Sequence, residues 1–335
     1  MVDEAVSAVV IGGGPCGLAA SIAMQRAGVS NVIIERHCLV SGIASYPTEM
    51  SFFSTAEKIS IGGVPFAIST PKPTRSAALA YYRTVAQYCG VRVHQYETVE
   101  LLDQLPDDRW RIVSHTRSGA ERVTIASSVV MATGYFGLPN RLGVPGEVQP
   151  HVHYRFREGH MAWDQDVVVV GGANSAVDAA LELYRAGARV TLVHFGPALD
   201  ANVKPWVRPD IDARIRDGAI GGRFNARVTE IGPDWVELES EGERTRIAAQ
   251  HVFTMLGYMP ETGLLRQVAA PIDPATGIPQ HNPATMETPL PGLFIAGVLA
   301  SGYDANKTFI ENGRFHGDLI AARIVERTRE TVGAR

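Results

Sequence analysis

The sequence predicts an α/β protein with two parallel sheets, in which the domain built around the second sheet is inserted into the chain of the first. A strand, a glycine-rich turn, a helix and a further strand occur twice, over residues 6–34 and 167–193. The chain has 335 residues, enough for two domains, and 45% of them are hydrophobic, enough for two cores. The two repeats therefore indicate two Rossmann-like domains.

The composition excludes some classes of partner. The 31 basic and 35 acidic residues give a net charge of −4, which provides no attraction for nucleic acid. No apolar run reaches the roughly 18 residues of a membrane span, and an acidic start is unlike a secretory signal. Three scattered cysteines fit a reducing compartment. We therefore expect a cytoplasmic protein that binds neither nucleic acid nor membrane.

The first repeat is typical of a dinucleotide-binding turn. Its strand, residues 6–11, leads into a glycine-rich turn, and the helix that follows ends at Gly28. In such turns the first glycine allows the tight bend, the middle one lets the backbone approach a pyrophosphate, and the third lets helix and strand pack closely. The helix N-terminus adds free N–H groups and partial positive charge. The residues assigned to this turn are Gly12, Gly14, Pro15, Cys16 and Gly17.

The next strand ends at Glu35, where a carboxylate can accept hydrogen bonds from ribose hydroxyls. Arg36 follows directly and is included in the predicted site. The first repeat therefore predicts a bound dinucleotide. A tight strand-to-helix turn without a ligand is the alternative.

The second repeat departs from this pattern at two positions. Ala173 replaces the middle glycine and adds a methyl group where phosphate approaches. His194 follows the second strand of this repeat, at the position that Glu35 occupies in the first repeat and at the same spacing from the first glycine of its turn. We call this position, at the end of the second strand, the corner of each repeat. The residues assigned to this second turn are Gly171, Gly172, Ala173, Asn174, Ser175 and Ala176.

The corner of the second repeat favours NADPH over NADH. His194 in place of an acid removes the repulsion that excludes a 2′-phosphate. Lys204 and Arg208 lie shortly after it and are the predicted phosphate ligands. The alternative is an ordinary solvated loop.

Two dinucleotide turns in one chain suggest FAD in the first and a nicotinamide nucleotide in the second. Thr133 and Gly134 form the turn after a strand, before a proline-stiffened crossover, and residues 254–260 are interpreted as the return. The predicted domains are an FAD-binding domain at 1–138 and 258–335 and an NAD(P)H-binding domain at 139–257.

The end of the chain is expected to complete the FAD site. A short buried strand runs up to Gly297, and a helix is predicted over 306–323. The N-terminus of that helix, at Lys307 and Thr308, would offer N–H groups to the flavin pyrimidine edge and stabilise negative charge on reduced flavin.

Six stretches carry a resemblance to known proteins: 11–18, 46–55, 72–75, 204–206, 304–306 and 309–313. The glycine motifs are shared by many flavoproteins, whereas 46–55 and 309–313 are more specific. On these stretches the chain resembles the two-domain thioredoxin-reductase-like flavoproteins over nearly its whole length, and within them the YpdA family. Members of that family are FAD-dependent, NADPH-using reductases proposed to act on bacillithiol disulfide.

The resemblance implies NADPH-driven reduction of a low-molecular-weight disulfide by a homo-oligomeric enzyme. It does not imply thioredoxin reduction, because residues 151–166, where thioredoxin reductases carry C-x-x-C, contain no cysteine. The resemblance makes Cys16 the candidate redox residue, and a helix N-terminus lowers a thiol pKa. The alternative is that Cys16 is a small packing residue beneath the cofactor.

By the same resemblance, Tyr46 and Phe53 are expected in a wall over the flavin ring, or else in a hydrophobic loop that closes the core. Two other functions stay open. A flavin monooxygenase also uses two dinucleotide turns, and a ferredoxin or flavodoxin-NADP reductase also lacks C-x-x-C. The histidines and cysteines show no metal-ligand spacing.

Overall fold

A computed structural model describes residues 4–333 of the protein. These residues form two compact units. Unit 1 comprises residues 4–44, 50–138 and 259–333, and unit 2 comprises Ser45–Glu49 and Pro139–Tyr258. The short segment Ser45–Glu49, which the sequence analysis placed in the first domain, thus groups with unit 2.

Strands and helices alternate along most of the chain. The strands are β1 (Glu4–Ile11), β2 (Asn31–Glu35), β3 (Val93–Gln95), β4 (Glu97–Gln104), β5 (Trp110–Thr116), β6 (Glu121–Met131), β7 (Leu138–Pro139), β8 (Val152–His153), β9 (Asp166–Val170), β10 (Arg189–Val193), β11 (Gly221–Arg223), β12 (Ala226–Ile231), β13 (Trp235–Ser240), β14 (Glu243–Ala248), β15 (His251–Thr254), β16 (Tyr258–Met259) and β17 (Leu293–Ile295). The α-helices are α1 (Pro15–Arg26), α2 (Ser41–Ala44), α3 (Ala56–Ile59), α4 (Arg75–Tyr88), α5 (Asn174–Arg185), α6 (Arg208–Arg216), α7 (Gly263–Gln267), α8 (Ile310–Gly313) and α9 (His316–Gly333). None of them combines, within residues 4–333, the length and the apolar character of a membrane span.

Unit 1 is built on a sheet with strand order β3-β2-β1-β6-β5-β4. Strands β1, β2, β3 and β6 run parallel, whereas β4, β5 and β6 form an antiparallel meander. Every residue of β2 is buried, as expected for a parallel strand covered on both faces. Strand β17 adds to the C-terminal end of β6, with Ile295 opposite Met131. The carboxyl ends of β1, β6 and β17 therefore meet at one edge.

Unit 2 repeats the central part of this arrangement. Its parallel sheet has the order β11-β10-β9-β15-β8, so β9 lies between β10 and β15 as β1 lies between β2 and β6. One apolar cluster packs helix α5 on the sheet, and another packs the antiparallel meander β12-β13-β14 against it. The α/β class with two parallel sheets, expected from the sequence, is confirmed.

The helix predicted over 306–323 is wrong at its start. The chain forms a four-residue helix, α8, and begins the long helix α9 only at His316. The Asn312 side chain accepts from the Phe309 N–H at 2.8 Å and donates to the Lys307 carbonyl oxygen at 2.8 Å. These bonds cap α8 at Phe309, which explains why the helix begins at Ile310 and leaves 306–309 outside it.

Candidate functional site

The three glycines of the first turn have the three distinct environments that the motif predicts. A Cβ at Gly12, where φ is +111°, would overlap the Ala132 carbonyl oxygen, and a Cβ at Gly17 would overlap the Gly12 carbonyl oxygen. A Cβ at Gly14 would meet no atom of residues 4–333 within 4 Å. Gly12 and Gly17 therefore permit close packing, whereas Gly14 leaves open space at the N-terminus of α1. That space fits a pyrophosphate.

Glu35 is buried at the end of β2 and is held by local donors. Its carboxylate accepts from the Gly13 N–H at 2.7 Å, the His37 N–H at 2.8 Å and the Ser41 hydroxyl at 3.2 Å. A carboxylate offers about four acceptor sites, so one remains for a ribose hydroxyl. The geometry fits the predicted role of Glu35 beside the adenosine of FAD.

Arg36 is held by a residue that the sequence analysis missed. Its guanidinium makes two parallel hydrogen bonds to the Glu261 carboxylate, at 2.7 and 2.9 Å. The Thr133 hydroxyl donates to the Glu261 carbonyl oxygen at 2.9 Å, so the turn after β6 joins the same cluster. Gly134 adopts φ +76° with open space around its Cα. No local motif identifies Glu261, because its partner Arg36 lies 225 residues away.

Cys16 lies in the first turn of α1, but its pKa is raised, whereas a lowered pKa was expected. Its sulfur packs against two glycines: a Cβ would come within 3.1 Å of Sγ at Gly297 and within 2.9 Å at Gly313. Burial of the thiol raises the pKa of Cys16 to about 12, although the residue as a whole is only partly buried. The expected lowering by the helix N-terminus is wrong because the cost of desolvating a thiolate is the larger effect.

The residues expected at the flavin pyrimidine edge lie in a loop. Lys307 and Thr308 precede the four-residue α8 and do not start a long helix, so the helix-dipole argument does not apply to them. The Thr308 hydroxyl bonds the Ser301 hydroxyl, and Lys307 Nζ lies 3.6 Å from the Asp304 carboxylate. His316, at the start of α9, accepts from the Gly297 N–H at 3.1 Å, and burial lowers its pKa.

The aromatic residues of the expected flavin wall fall in different units. Tyr46 lies in the segment that groups with unit 2, and the Thr48 N–H there donates to the Arg157 carbonyl oxygen at 2.8 Å. Phe53 lies in unit 1 and is 42% exposed. Their common role over a flavin ring stays a prediction.

The second turn bends the backbone at its first glycine as the first turn does, but it carries different side chains. Gly171 has φ +144°, and a Cβ there would lie 2.5 Å from the Met255 carbonyl oxygen. Ala173 begins α5 in extended conformation, where Gly14 begins α1. Asn174 Oδ1 accepts from the Lys204 N–H at 2.9 Å. Ser175 is exposed and Ala176 is buried.

His194 occupies the corner of the second turn as predicted, and it is 4% exposed. Its ring lies directly over Gly172, where any Cβ would overlap it. Nε2 lies 3.5 Å from the Asp200 carboxylate. Nδ1 is buried and has no hydrogen-bond partner among residues 4–333.

The predicted phosphate ligands have other contacts. Arg208 lies 2.8 Å from the Asp212 carboxylate one helical turn later and donates to the Asp200 carbonyl oxygen at 3.3 Å. Lys204 Nζ lies 5.9 Å from the Trp206 ring. A different cation, Arg227, stacks on Phe195, the residue after His194.

Comparison with known proteins assigns the chain to a family. The family model described as pyridine nucleotide-disulphide oxidoreductase matches residues 9–297. This protein is a member of that family. The bacilliredoxin reductase Bdr of Bacillus subtilis (strain 168) is 44% identical over 98% of this chain and 99% of its own.

Two solved structures extend the match. The bacillithiol disulfide reductase Bdr (YpdA) from Bacillus cereus has a TM-score of 0.94 and 44% identity, covering 96% of this chain and 99% of its own. The bacillithiol disulfide reductase Bdr (YpdA) from Staphylococcus aureus has a TM-score of 0.91 and 40% identity, over 97% and 99% of the two chains. The resemblance to the YpdA family is thus confirmed, and with it the oxidoreductase class and the use of FAD and NADPH.

Proposed function

We propose that this protein is an NADPH-dependent flavoenzyme that reduces a low-molecular-weight thiol disulfide, with bacillithiol disulfide as the substrate. The observation that carries the proposal is the match, over nearly the whole chain, to two enzymes of known structure that are named for that substrate. The reaction consumes NADPH, a proton and one disulfide, and it yields NADP⁺ and two thiols. Bound FAD supplies the two-electron relay between nicotinamide and disulfide.

We assign FAD to the first turn and NADPH to the second. The open space at Gly14 and the buried Glu35 carboxylate support FAD binding at α1. The histidine corner of the second turn, which lacks the acid that excludes a 2′-phosphate, supports NADPH at α5. The backbone N–H groups at the N-termini of α1 and α5 would bind the phosphates of the two nucleotides and so orient them.

Cys16 has two possible roles with different consequences. As an electron carrier it would attack the substrate disulfide as a thiolate, and turnover would depend on it. As a packing residue it fills the space between Gly297 and Gly313, and an alanine would serve. Its raised pKa keeps the thiol protonated at neutral pH and favours the packing role.

A protein acceptor is the second candidate. The Bacillus subtilis relative is named for bacilliredoxin, a protein, whereas the solved structures are titled for the small disulfide. A shared pair of nucleotide turns does not distinguish these acceptors. Ferredoxin reduction is supported less, because a ferredoxin–NADP reductase matches at 28% identity over 76% of the chain, against 44% over 98% for the Bacillus subtilis relative. A flavin-containing monooxygenase of known structure is 21% identical and shares only the fold.

We also propose that the enzyme works in the cytoplasm as a homo-oligomer without nucleic acid or membrane partners. The three cysteines are free thiols, as a reducing compartment requires. The oligomer rests on the family resemblance.

The decisive experiment is anaerobic NADPH oxidation by the purified yellow protein with a panel of acceptors: bacillithiol disulfide, oxidised bacilliredoxin and ferredoxin. We expect stoichiometric oxidation with bacillithiol disulfide and two thiols formed per NADPH. Fast reduction of ferredoxin alone, an NADPH-dependent oxygenated product in air, or a colourless protein that takes up no flavin would overturn the proposal. Full turnover of Cys16→Ala would assign that residue to packing.

A further inference from the structure

Arg227 lies far along the chain from the second turn but is close in space to the corner of that turn. Arg227 lies near the start of β12, and its guanidinium carbon is 5.1 Å from the centre of the Phe195 ring. Phe195 directly follows the buried His194, and the two rings are 4.6 Å apart. The cation, the aromatic ring and the imidazole therefore form one cluster at the end of β10.

The backbone fixes this cluster in place. The Asn225 N–H donates to the Gly196 carbonyl oxygen at 2.9 Å, and the Ala226 N–H donates to the His194 carbonyl oxygen at 3.1 Å. Both bonds lie immediately before Arg227, so its Cα cannot move independently of the corner. Phe195 is 62% exposed, so the ring and the guanidinium it supports face solvent. An exposed arginine on an aromatic face is preorganised at low entropic cost.

The charges around the cluster distinguish Arg227 from the neighbouring cations. Arg208 is neutralised by Asp212, and the Asp200 carboxylate faces His194 Nε2. None of the carboxylates of residues 4–333 is paired with Arg227. The Nδ1 atom of His194, buried over Gly172, has no partner among these residues either. Arg227 is thus an exposed cation at this corner with no ion pair among the described residues, beside an imidazole whose Nε2 faces Asp200.

We propose that Arg227, supported by Phe195, reads the adenosine 2′-phosphate and so determines the preference for NADPH over NADH. The inference rests on the proposed assignment of the nicotinamide nucleotide to the second turn. A guanidinium is suited to a phosphate because its planar N–H groups match two oxygens. His194 stands where an acid would repel that group, and the neighbouring Asp200 carboxylate lies against His194 Nε2 at 3.5 Å.

The test is binding of adenosine 2′,5′-bisphosphate and of 5′-AMP to the FAD-loaded protein by calorimetry. We expect Arg227→Ala to weaken binding of the bisphosphate by about 10- to 100-fold, since a hydrogen bond to a charged group is lost, and to change 5′-AMP binding less than about 3-fold. Arg227→Lys should recover part of the loss. Phe195→Leu should fall between wild type and Arg227→Ala because the cation keeps its charge but loses its support.

Arg216→Ala is the matched control, because Arg216 is a 72% exposed arginine of the same unit paired only with Asp217 in residues 4–333. It should change neither affinity. Equal loss of both ligands in Arg227→Ala, or an unchanged preference for the bisphosphate, would overturn the proposal. Wild-type disulfide reduction with NADPH is measured alongside. If it is absent while Arg227→Ala loses only the bisphosphate, the proposed function is wrong and the assignment of Arg227 stands.

Discussion

The two glycine turns share a backbone and differ in what their side chains expose. In the first turn Gly14 leaves open space and the corner carries the Glu35 carboxylate, whereas in the second Ala173 stands at the helix start and the corner carries His194. Both corners press on the glycine that follows the first bend: a Cβ at Gly13 would lie 3.1 Å from Glu35, and one at Gly172 would overlap His194. The packing of the corner is thus retained while its charge changes. One scaffold can accept differently charged nucleotides by exchange of a few side chains.

The largest effect on stability is expected at the third position of the turns, where the first turn has Gly17 and the second has Ala176. Gly17→Ala places Cβ on the Gly12 carbonyl oxygen and should lower the free energy of unfolding by about 3 kcal/mol or more. The equivalent residue of the second turn is already alanine, so Ala176→Gly should cost only about 1 kcal/mol, from helix propensity. Urea unfolding monitored by circular dichroism measures both. Equal losses would contradict the distinct packing of the two turns.

A smaller effect is expected at the middle position. Gly14→Ala adds a methyl group in open space, so the fold should keep its stability while FAD affinity falls by about 10-fold, as for one lost bond to a charged group. Ala173→Gly makes the reverse change in the second turn and should lower the KM for NADPH about 2- to 3-fold. Flavin content after gel filtration and steady-state kinetics are the measurements. A stable Gly14→Ala protein that retains FAD fully would exclude the pyrophosphate from this position.

The smallest effect on stability and ligand binding is expected at the thiol of the first turn, Cys16, and at its counterpart Ser175, which differ instead in chemical reactivity. Cys16 has a pKa of about 12, so at pH 8 protonated thiols exceed thiolates by about 10⁴. Iodoacetamide should label Cys16 slowly at pH 8, and the rate should rise up to about pH 12. The exposed Ser175→Cys thiol, introduced together with Cys16→Ala, should react at an ordinary rate. Equal rates, measured by mass spectrometry, would contradict the buried environment.

The same shift has a consequence for stability. The folded protein holds the Cys16 proton more tightly than the unfolded chain, whose thiol has its ordinary pKa of 9.0. This contribution is fully present below pH 9 and is lost as the pH rises toward 12. Cys16→Ala should therefore lose less stability than wild type between pH 9 and 11, which chemical denaturation at each pH measures.

The sequence predicts the features that depend on residues close together in the chain. The spacing of the glycines, the strand ends at Glu35 and His194, and helices α1 and α5 all follow from local patterns. Arg227 and Glu261 were missed because their partners lie far away in sequence and only the fold brings them together. A contact between residues so far apart in sequence leaves no local pattern of residues by which it could be predicted.

Two further departures have local causes that only side-chain geometry reveals. The predicted terminal helix starts late because the Asn312 amide bonds backbone groups on the N-terminal side of α8 and caps it at Phe309. Cys16 has a raised pKa because glycines at two distant positions bring backbone against its sulfur. The start of the helix and the pKa of Cys16 each depend on two opposing interactions. The spacing of residues in the sequence does not show which interaction is stronger.

The ion pair of Arg36 with Glu261 bears on the order in which the two units fold during synthesis. Its partners are 225 residues apart, and β17 joins β6 only when residue 293 has been made. Nearly all of unit 2 is contiguous, whereas unit 1 needs both ends of the chain. During translation the inserted unit can therefore complete its sheet first, and the Arg36–Glu261 pair of unit 1 forms last.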